Sequence, residues 1–473
     1  MRRRVLFLVL IVLCLAPSIT AQAFSDRQEV AIFRLSYYGQ PAYAPSADVR
    51  VEVRGRRGSV AVELSGTGNP VYDDLFARAL GAVDEQIRGV FVNLGRFRVI
   101  GMEQRLTEAS VEDFIAVLSD YKLGHAEIPE AVLLGRQAFT ERDFRRLAGG
   151  FVVVVPSVSW FDLRHERDGR YAAQMQTSFA FIDVQNMRTF AQFFIETSRY
   201  DDTPERAVKG AVDALPAELS FRIRMLPEFQ LRTGILDVTR TDVILEFGRN
   251  MGLQPGDEYA IVAERVLPTG HVTTTETGLI LVREVHQEVS YARVIYARPK
   301  AKPGDQLREV PRRGFETQMY YDVFTDGIYL TPLLGLKVTA SRGFYDWRPF
   351  AAFEIPFRGV IGTTRDPLFP MNVVLGGEWN AYLGRLRLSP SVSAGLGGVV
   401  PFRSDDHRES FYLSHVGGAF RLTGSLLLGR NVRASVQTGV GYWLSVFDES
   451  AAWRTPALAS YGGLVIGAGL SLK

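Results

Sequence analysis

From about Phe315 onward the chain alternates, residue by residue, between apolar and polar or small side chains, and this period of two admits strands and excludes helices. The clearest run sets Val432, Ala434, Val436, Thr438, Val440, Tyr442 and Leu444 on one face against Arg433, Ser435, Gln437, Gly439, Gly441 and Trp443 on the other. The same split runs through 386–397, 416–426, 371–381 and 464–472, with weaker runs near 315–324, 333–342 and 348–358. Eight strands are predicted, each reaching about the 9–11 residues that a tilted strand needs to cross a bilayer. No later stretch offers ~18 uninterrupted apolar residues, so a helical span is not predicted for the chain beyond its leader.

Two closed structures share this alternation and differ in which face points inward. A soluble sandwich or lipocalin-like barrel would bury the apolar face and send charge outward. Here the polar face carries Glu316, Asp322, Lys337, Glu354, Arg358, Glu378, Arg387, Arg421 and Arg433, while the apolar face has almost none. Four acids against five bases can pair inside a narrow lumen, whereas an unpaired buried ion costs several kcal/mol. A membrane barrel is therefore the favoured expectation. An eight-stranded barrel is just wide enough to be filled by its own side chains, so a conducting pore is not expected.

The connections give an independent test. Those near Gly384-Arg385 and Gly429-Arg430-Asn431 read as tight, and those at about 359–370, 402–411 and 447–459 as long and polar. Such alternation fits short periplasmic turns and longer external loops, and it puts both barrel ends and the N-terminal half in the periplasm. Tyr and Trp cluster near strand ends, where amphipathic rings suit the membrane interface. The run Gly467-Ala468-Gly469-Leu470-Ser471-Leu472 resembles the C-terminal signal of outer-membrane barrel proteins, departing from it in Lys473.

The opening of the chain fits this picture. Arg2, Arg3 and Arg4 precede the apolar Val5–Leu15, and Ala21-Gln22-Ala23 precedes polar residues, which reads as a secretory signal peptide cut after Ala23 with Ala21 as the second small residue. The alternative, a membrane anchor, needs roughly 20 apolar residues, and Pro17 interrupts the run first. Cys14, the only cysteine, falls within that run, so the mature chain is expected to lack thiols and disulfides. A chain of 473 residues exceeds one ordinary core. Segments 1–23, 24–226, 227–311 and 312–473 are read as leader, periplasmic α/β domain, small β module with linker, and barrel.

Within 24–226 the pattern mixes strands near Glu29–Tyr38, Val49–Leu64, Phe97–Met102, Phe151–Phe161, Tyr171–Val184 and Thr189–Thr197 with helices near Tyr72–Phe91, Val111–Tyr121 and Pro129–Leu147. A last helix opens with Thr203 as its cap and Pro204 in its first turn. A helix before Gly95-Arg96-Phe97-Arg98-Val99-Ile100, then Gly149-Gly150-Phe151-Val152-Val153-Val154-Val155, then Phe179-Ala180-Phe181-Ile182-Asp183-Val184 and an alanine-rich helix resembles the curli secretion subunit family and is similar to the amino-terminal domain of the Tol translocation protein. Residues 229–310, with Pro255-Gly256-Asp257 and Pro303-Gly304-Asp305 turns, look like the SH3-like C-terminal domain of flagellar assembly protein T. The resemblance implies an envelope assembly or secretion module. It departs from the curli type in lacking a lipid-bearing cysteine and in carrying its own barrel.

Catalytic chemistry finds no foothold in the sequence. His125, His165, His271, His286, His407 and His415 are scattered without ligand spacing, and there is no P-loop, nucleophile-elbow serine or dinucleotide fingerprint. No enzyme, cofactor or metal is expected. Asp201-Asp202 precede Thr203-Pro204 and are read as opening a helix rather than as catalytic carboxylates. The run Arg54-Gly55-Arg56-Arg57-Gly58 is read as a hairpin turn, with peptidoglycan or anionic headgroups as the alternative contact. With 54 basic and 52 acidic residues, the near-balanced charge gives no argument for nucleic acid. The expected partners are outer-membrane lipid, the barrel assembly machinery and periplasmic proteins. The expected role is a closed outer-membrane barrel tethering a periplasmic assembly or interaction module, with a subunit of an oligomeric secretion channel as the alternative.

Overall fold

A computed structural model describes residues 27–37, 70–105, 113–117, 119–120, 131–134, 137–140, 152–326, 329–357, 368–401, 412–447 and 459–473. The signal peptide with Ala21 and Ala23, the Val49–Leu64 strand, the 54–58 turn, Arg358 and nearly all of the three long barrel connections lie outside these residues.

The first block is a mixed sheet. Its elements are β1 (Gln28–Arg34), β2 (Ser36–Tyr37), α1 (Pro70–Asn93), β3 (Phe97–Arg105), β6 (Val152–His165), β7 (Tyr171–Asp183), β8 (Arg188–Asp201) and α2 (Pro204–Met225). The sheet order is β3-β1-β6-β7-β8, with β1 parallel to both neighbours and β6, β7 and β8 antiparallel. Val30, Ile32, Val152, Val154, Phe179 and Phe181 point to the face on which both helices lie, and Ala207, Ala211, Leu215, Leu219 and Ile223 return one stripe of α2 to it. Ala31, Phe33, Val153 and Ile182 point to the opposite face, where Phe114 covers them. Thr203 caps α2, its Oγ1 accepting from the Arg206 amide at 3.4 Å, and Asp201 pairs with Arg206. The 129–147 stretch departs from expectation. Its described residues form β4 (Ala131–Leu134) and β5 (Gln137–Thr140), paired antiparallel, because a four-residue apolar run is too short to carry a helical period.

The second block is a closed six-stranded barrel of β9 (Arg232–Thr239), β10 (Asp242–Leu245), β11 (Glu258–Val266), β12 (Val272–Val285), β13 (Ser290–Ala297) and β14 (Gln306–Val310). Leu245, Tyr259, Ile280, Val282 and Leu307 fill it.

The third block comprises β15 (Phe315–Thr325), β16 (Leu330–Ala340), β17 (Trp347–Pro356), β18 (Leu368–Trp379), β19 (Ala381–Leu383), β20 (Leu386–Pro401), β21 (Tyr412–Leu427), β22 (Val432–Ser445) and β23 (Tyr461–Leu472). Antiparallel pairs run β15-β16-β17-β18-β20-β21-β22-β23, β19 pairs with β20, and β23 returns to β15 over Thr317↔Leu472 to Thr325↔Leu464. β19 continues the line of β18 past Asn380. This is a closed eight-stranded antiparallel barrel.

The polar face points inward as expected. Along β15, Glu316, Gln318, Tyr320, Asp322 and Phe324 are buried, whereas Met319 and Tyr321 are exposed. Every strand repeats this, so Val436, Ile466 and Leu375 stand 65–68% exposed to the surroundings. Antiparallel order places the start of β15, the end of β23 and the connections at 341–346, 384–385 and 428–431 at one end, called here the near end.

Candidate functional site

The near third of the lumen is organised around Glu316. Its carboxylate accepts from Arg387 Nη1 and Nη2 at 2.9 and 3.1 Å and from Arg348 Nη1 at 3.3 Å. Arg387 Nε also donates to Ser425 Oγ. Beside it Lys337 Nζ donates to Glu378 at 3.0 Å and lies 5.1 Å from the Phe350 ring centre. Arg433 projects into the same layer, 1% exposed, and its Nε and Nη1 have no partner among the described residues.

Farther along, Arg421 bridges two carboxylates. Its Nε donates to Asp322 at 3.1 Å and its Nη2 to Glu354 at 2.8 Å. Tyr320 OH donates to Glu354 at 2.6 Å, and Gln437 Nε2 donates to Asp322 at 2.5 Å. Toward the far end Asn372 Nδ2 donates to Tyr461 OH at 2.6 Å, and Trp443 stacks on the Tyr461 ring. His415 sits there too, with its Nδ1 2.8 Å from Ser414 Oγ. The void bounded by Tyr320, Lys337, Phe350, Arg421 and Gln437 is about 10 Å³, the room of one water molecule.

Eight of the nine charged residues picked from the sequence thus meet in one lumen, the ninth being Arg358. Arg348 was missed. It shares the parity of Glu354 on β17, and that parity was the available signal.

A second charged cluster, which sequence reasoning did not find, lies below the near end. Glu309 on β14 accepts from Arg224 Nε at 2.6 Å, from Arg96 Nη2 at 3.2 Å and from the Leu231 amide at 3.3 Å. Asp257 accepts from Arg224 Nη2 at 3.2 Å and from Arg342 Nε at 2.9 Å, so one carboxylate joins α2, the six-stranded barrel and the β16–β17 turn. Glu258 pairs with Arg312 Nη2 at 2.7 Å and with Lys473 Nζ. Around these ions Ala260, Leu279, Leu281, Ile295 and Val310 pack against Tyr345, Tyr382 and Leu427 of the large barrel.

Two glycines let the backbones approach. Gly256 has φ +85°, and a Cβ there would lie 1.9 Å from the Ser341 carbonyl oxygen. A Cβ on Gly252 (φ +77°) would lie 1.9 Å from the Leu94 carbonyl oxygen. The Pro-Gly-Asp turn at 255–257 is therefore also the contact on which the large barrel sits, with Gly343 N donating to Pro255 O at 2.7 Å.

Burial alone would raise the Glu309 carboxyl, but the Arg96 and Arg224 guanidiniums outweigh it and hold it at about 2. Glu258 is likewise lowered, its burial outweighed by Lys473 and Arg312. Burial pushes the Lys473 ammonium down to about 8 in spite of Glu258. A carboxyl whose folded value lies below its unfolded value near 4.5 lends stability that is complete above pH 4.5 and lost as the pH falls through the folded value. For Glu309 the depression from 4.5 to about 2 amounts to about 3 kcal/mol. Urea unfolding of the 27–310 part at pH 7, 4.5 and 2.5 is expected to show a midpoint that holds between the first two and falls steeply at the third.

Among the described residues no group of three His, Cys, Asp or Glu side chains is placed to hold a metal ion. No protein-family model matches the chain, and no curated protein matches its sequence. Among solved structures, Neisserial surface protein A is 13% identical over 34% of this chain and 97% of its own, with a TM-score of 0.24. A hypothetical protein from Chlamydia trachomatis, CT253, is 10% identical over 41% of this chain and 96% of its own, with a TM-score of 0.21. OmpT, an outer membrane protein of Vibrio cholerae, is 10% identical over 68% of this chain and 95% of its own, with a TM-score of 0.16. At such identities and TM-scores these likenesses assign neither a family nor an activity. The barrel rests on the pairing of its own strands.

Proposed function

We propose that this chain is an envelope protein held in an outer membrane by its eight-stranded barrel, with the N-terminal half docked beneath it in the periplasm as an assembly or protein-interaction module. The observation that carries the reading is the inversion of the barrel: large apolar side chains face outward on every strand, and the charges face inward and pair. Monomeric soluble proteins rarely expose contiguous apolar patches beyond a few hundred Å². A closed barrel satisfies its backbone groups internally, as lipid requires. The strands, 10–16 residues long apart from the short β19, suffice to cross.

Orientation follows from the connections. The near-end connections at 341–346, 384–385 and 428–431 are all short, whereas three of the four far-end connections are long and only 326–329 is short; at the near end Arg385 stacks on Tyr296 and Arg430 pairs with Glu276 of the six-stranded barrel. Short turns on the periplasmic side are the pattern of bacterial outer-membrane barrels. The filled lumen and the module beneath its mouth favour an anchor over a conduit through the barrel.

Fractionation of a diderm host expressing the full chain tests this. The protein is expected in the carbonate-resistant envelope fraction, running faster unboiled than boiled, with external protease cutting only in the 359–370, 402–411 or 447–459 connections. A carbonate-soluble product without a heat shift would overturn the reading.

A further inference from the structure

We propose that the near rim of the barrel holds one anionic phospholipid of the inner leaflet, clamped by Arg313 where α2, the 311–313 linker and the seam between β15 and β23 meet. This rests on the membrane reading above. A pocket of about 250 Å³ opens there, lined by Phe221, Arg312, Arg313, Phe315, Leu472 and Lys473. Its upper wall is the lipid-facing surface, since Phe315 and Leu472 are 43% and 58% exposed and continue into Met319 and Leu470 along the same seam. Its lower wall is cationic. An amphiphile with its phosphate below and its chains against the β15–β23 wall matches both.

The charges at the pocket decide the sign of the ligand. Arg222, Arg312, Arg313 and Lys473 face two side-chain carboxylates, Glu218 and Glu258, leaving an excess of two positive charges among the side chains. Arg312 is spent on Glu258, Asn431 and the Arg430 carbonyl, and Lys473 on Glu258. Arg313 is the least committed of the four: its side chain is 55% exposed, its one ion pair, to Glu218, is long at 3.8 Å, and its guanidinium lies 5.2 Å from the Phe221 ring centre. A guanidinium held over an aromatic ring at the bilayer boundary, still offering its donor fork, is suited to a phosphodiester. Phe221 sits on α2, so the lipid would touch the N-terminal half and the barrel together.

The test uses the full chain, extracted from membranes in mild detergent and shown to be heat-modifiable, with phosphatidylglycerol as the probe. Native mass spectrometry is expected to show one retained phosphatidylglycerol, not displaced by phosphatidylcholine or inorganic phosphate. Arg313→Gln should weaken retention about tenfold, the loss of one charge-assisted contact, with its heat shift intact. Arg430→Gln, at the same rim but outside the pocket, should retain the lipid. Equal retention by a folded Arg313→Gln protein would overturn the site. Equal competition by inorganic phosphate would reduce it to an adventitious anion contact and also overturn it. Absence of a heat shift in the wild type would instead bring down the membrane reading on which the site rests.

Discussion

Glu309→Gln is expected to destabilise the 27–310 part by about 3–5 kcal/mol while leaving the heat-modifiable barrel band in place. The substitution keeps size and removes the charge that two buried guanidiniums share. The side chains of Arg96 and Arg224 are 4% and 2% exposed, so neither can turn to water for compensation. Breaking a buried ion pair from one side leaves an uncompensated charge, and that residue of charge sets the magnitude. The check is urea-dependent proteolysis of the full chain, with the cleavage midpoint read for the N-terminal half and the gel shift read for the barrel. A second variant separates charge from shape. If Glu309→Leu is combined with Arg96→Met and Arg224→Met, most of the lost stability should return, because apolar side chains of similar volume fill the site and Asp257, which loses Arg224, keeps its pair with Arg342. A single variant whose midpoint is unmoved would mean that the junction is wet and the ions are solvated in place.

The two charged clusters differed in how far the sequence revealed them. In the barrel, period two assigns each residue to a face without knowledge of the pairing, so Glu316, Asp322, Lys337, Glu354, Glu378, Arg387, Arg421 and Arg433 were legible as one inward set. Their partners were not legible. Glu316 meets Arg387 across 71 positions, and Arg421 meets Asp322 across 99, distances fixed by strand register around a closed barrel. The junction was opaque for a different reason. Arg224 sits in the last turn of a helix, where a basic residue ordinarily complements the helix dipole at the surface, and nothing local announces that Glu309, 85 residues on, will bury it. Gly256 was read as a turn residue, which it is; its second duty, clearing space for the Ser341 carbonyl, depends on the docking of two units. Lys473 read as a blemish on a C-terminal signal and turns out to be a partner of Glu258.

The largest effect inside the lumen is expected for Arg421→Met. Arg421 lies between Asp322 and Glu354, which are fully buried. Removing it leaves Glu354 with the Tyr320 hydroxyl and Asp322 with the Gln437 side-chain amide as donors. A loss of about 3–5 kcal/mol follows from stranding buried charge. In mild detergent the guanidinium chloride concentration that abolishes the gel shift should fall accordingly. Adding Asp322→Asn and Glu354→Gln to Arg421→Met neutralises the stranded pair, and the midpoint should recover most of the way. Recovery would show that the cost lay in uncompensated charge and not in lost volume, since the triple variant has the same cavity as the single one. If the single variant unfolded at the wild-type midpoint, water would have to reach both carboxylates, and the lumen at mid-depth would be wet instead of packed. The same variant therefore weighs the packed anchor against the pore: a large loss supports the filled lumen on which the tethering role depends, and no loss would reopen the barrel as a passage.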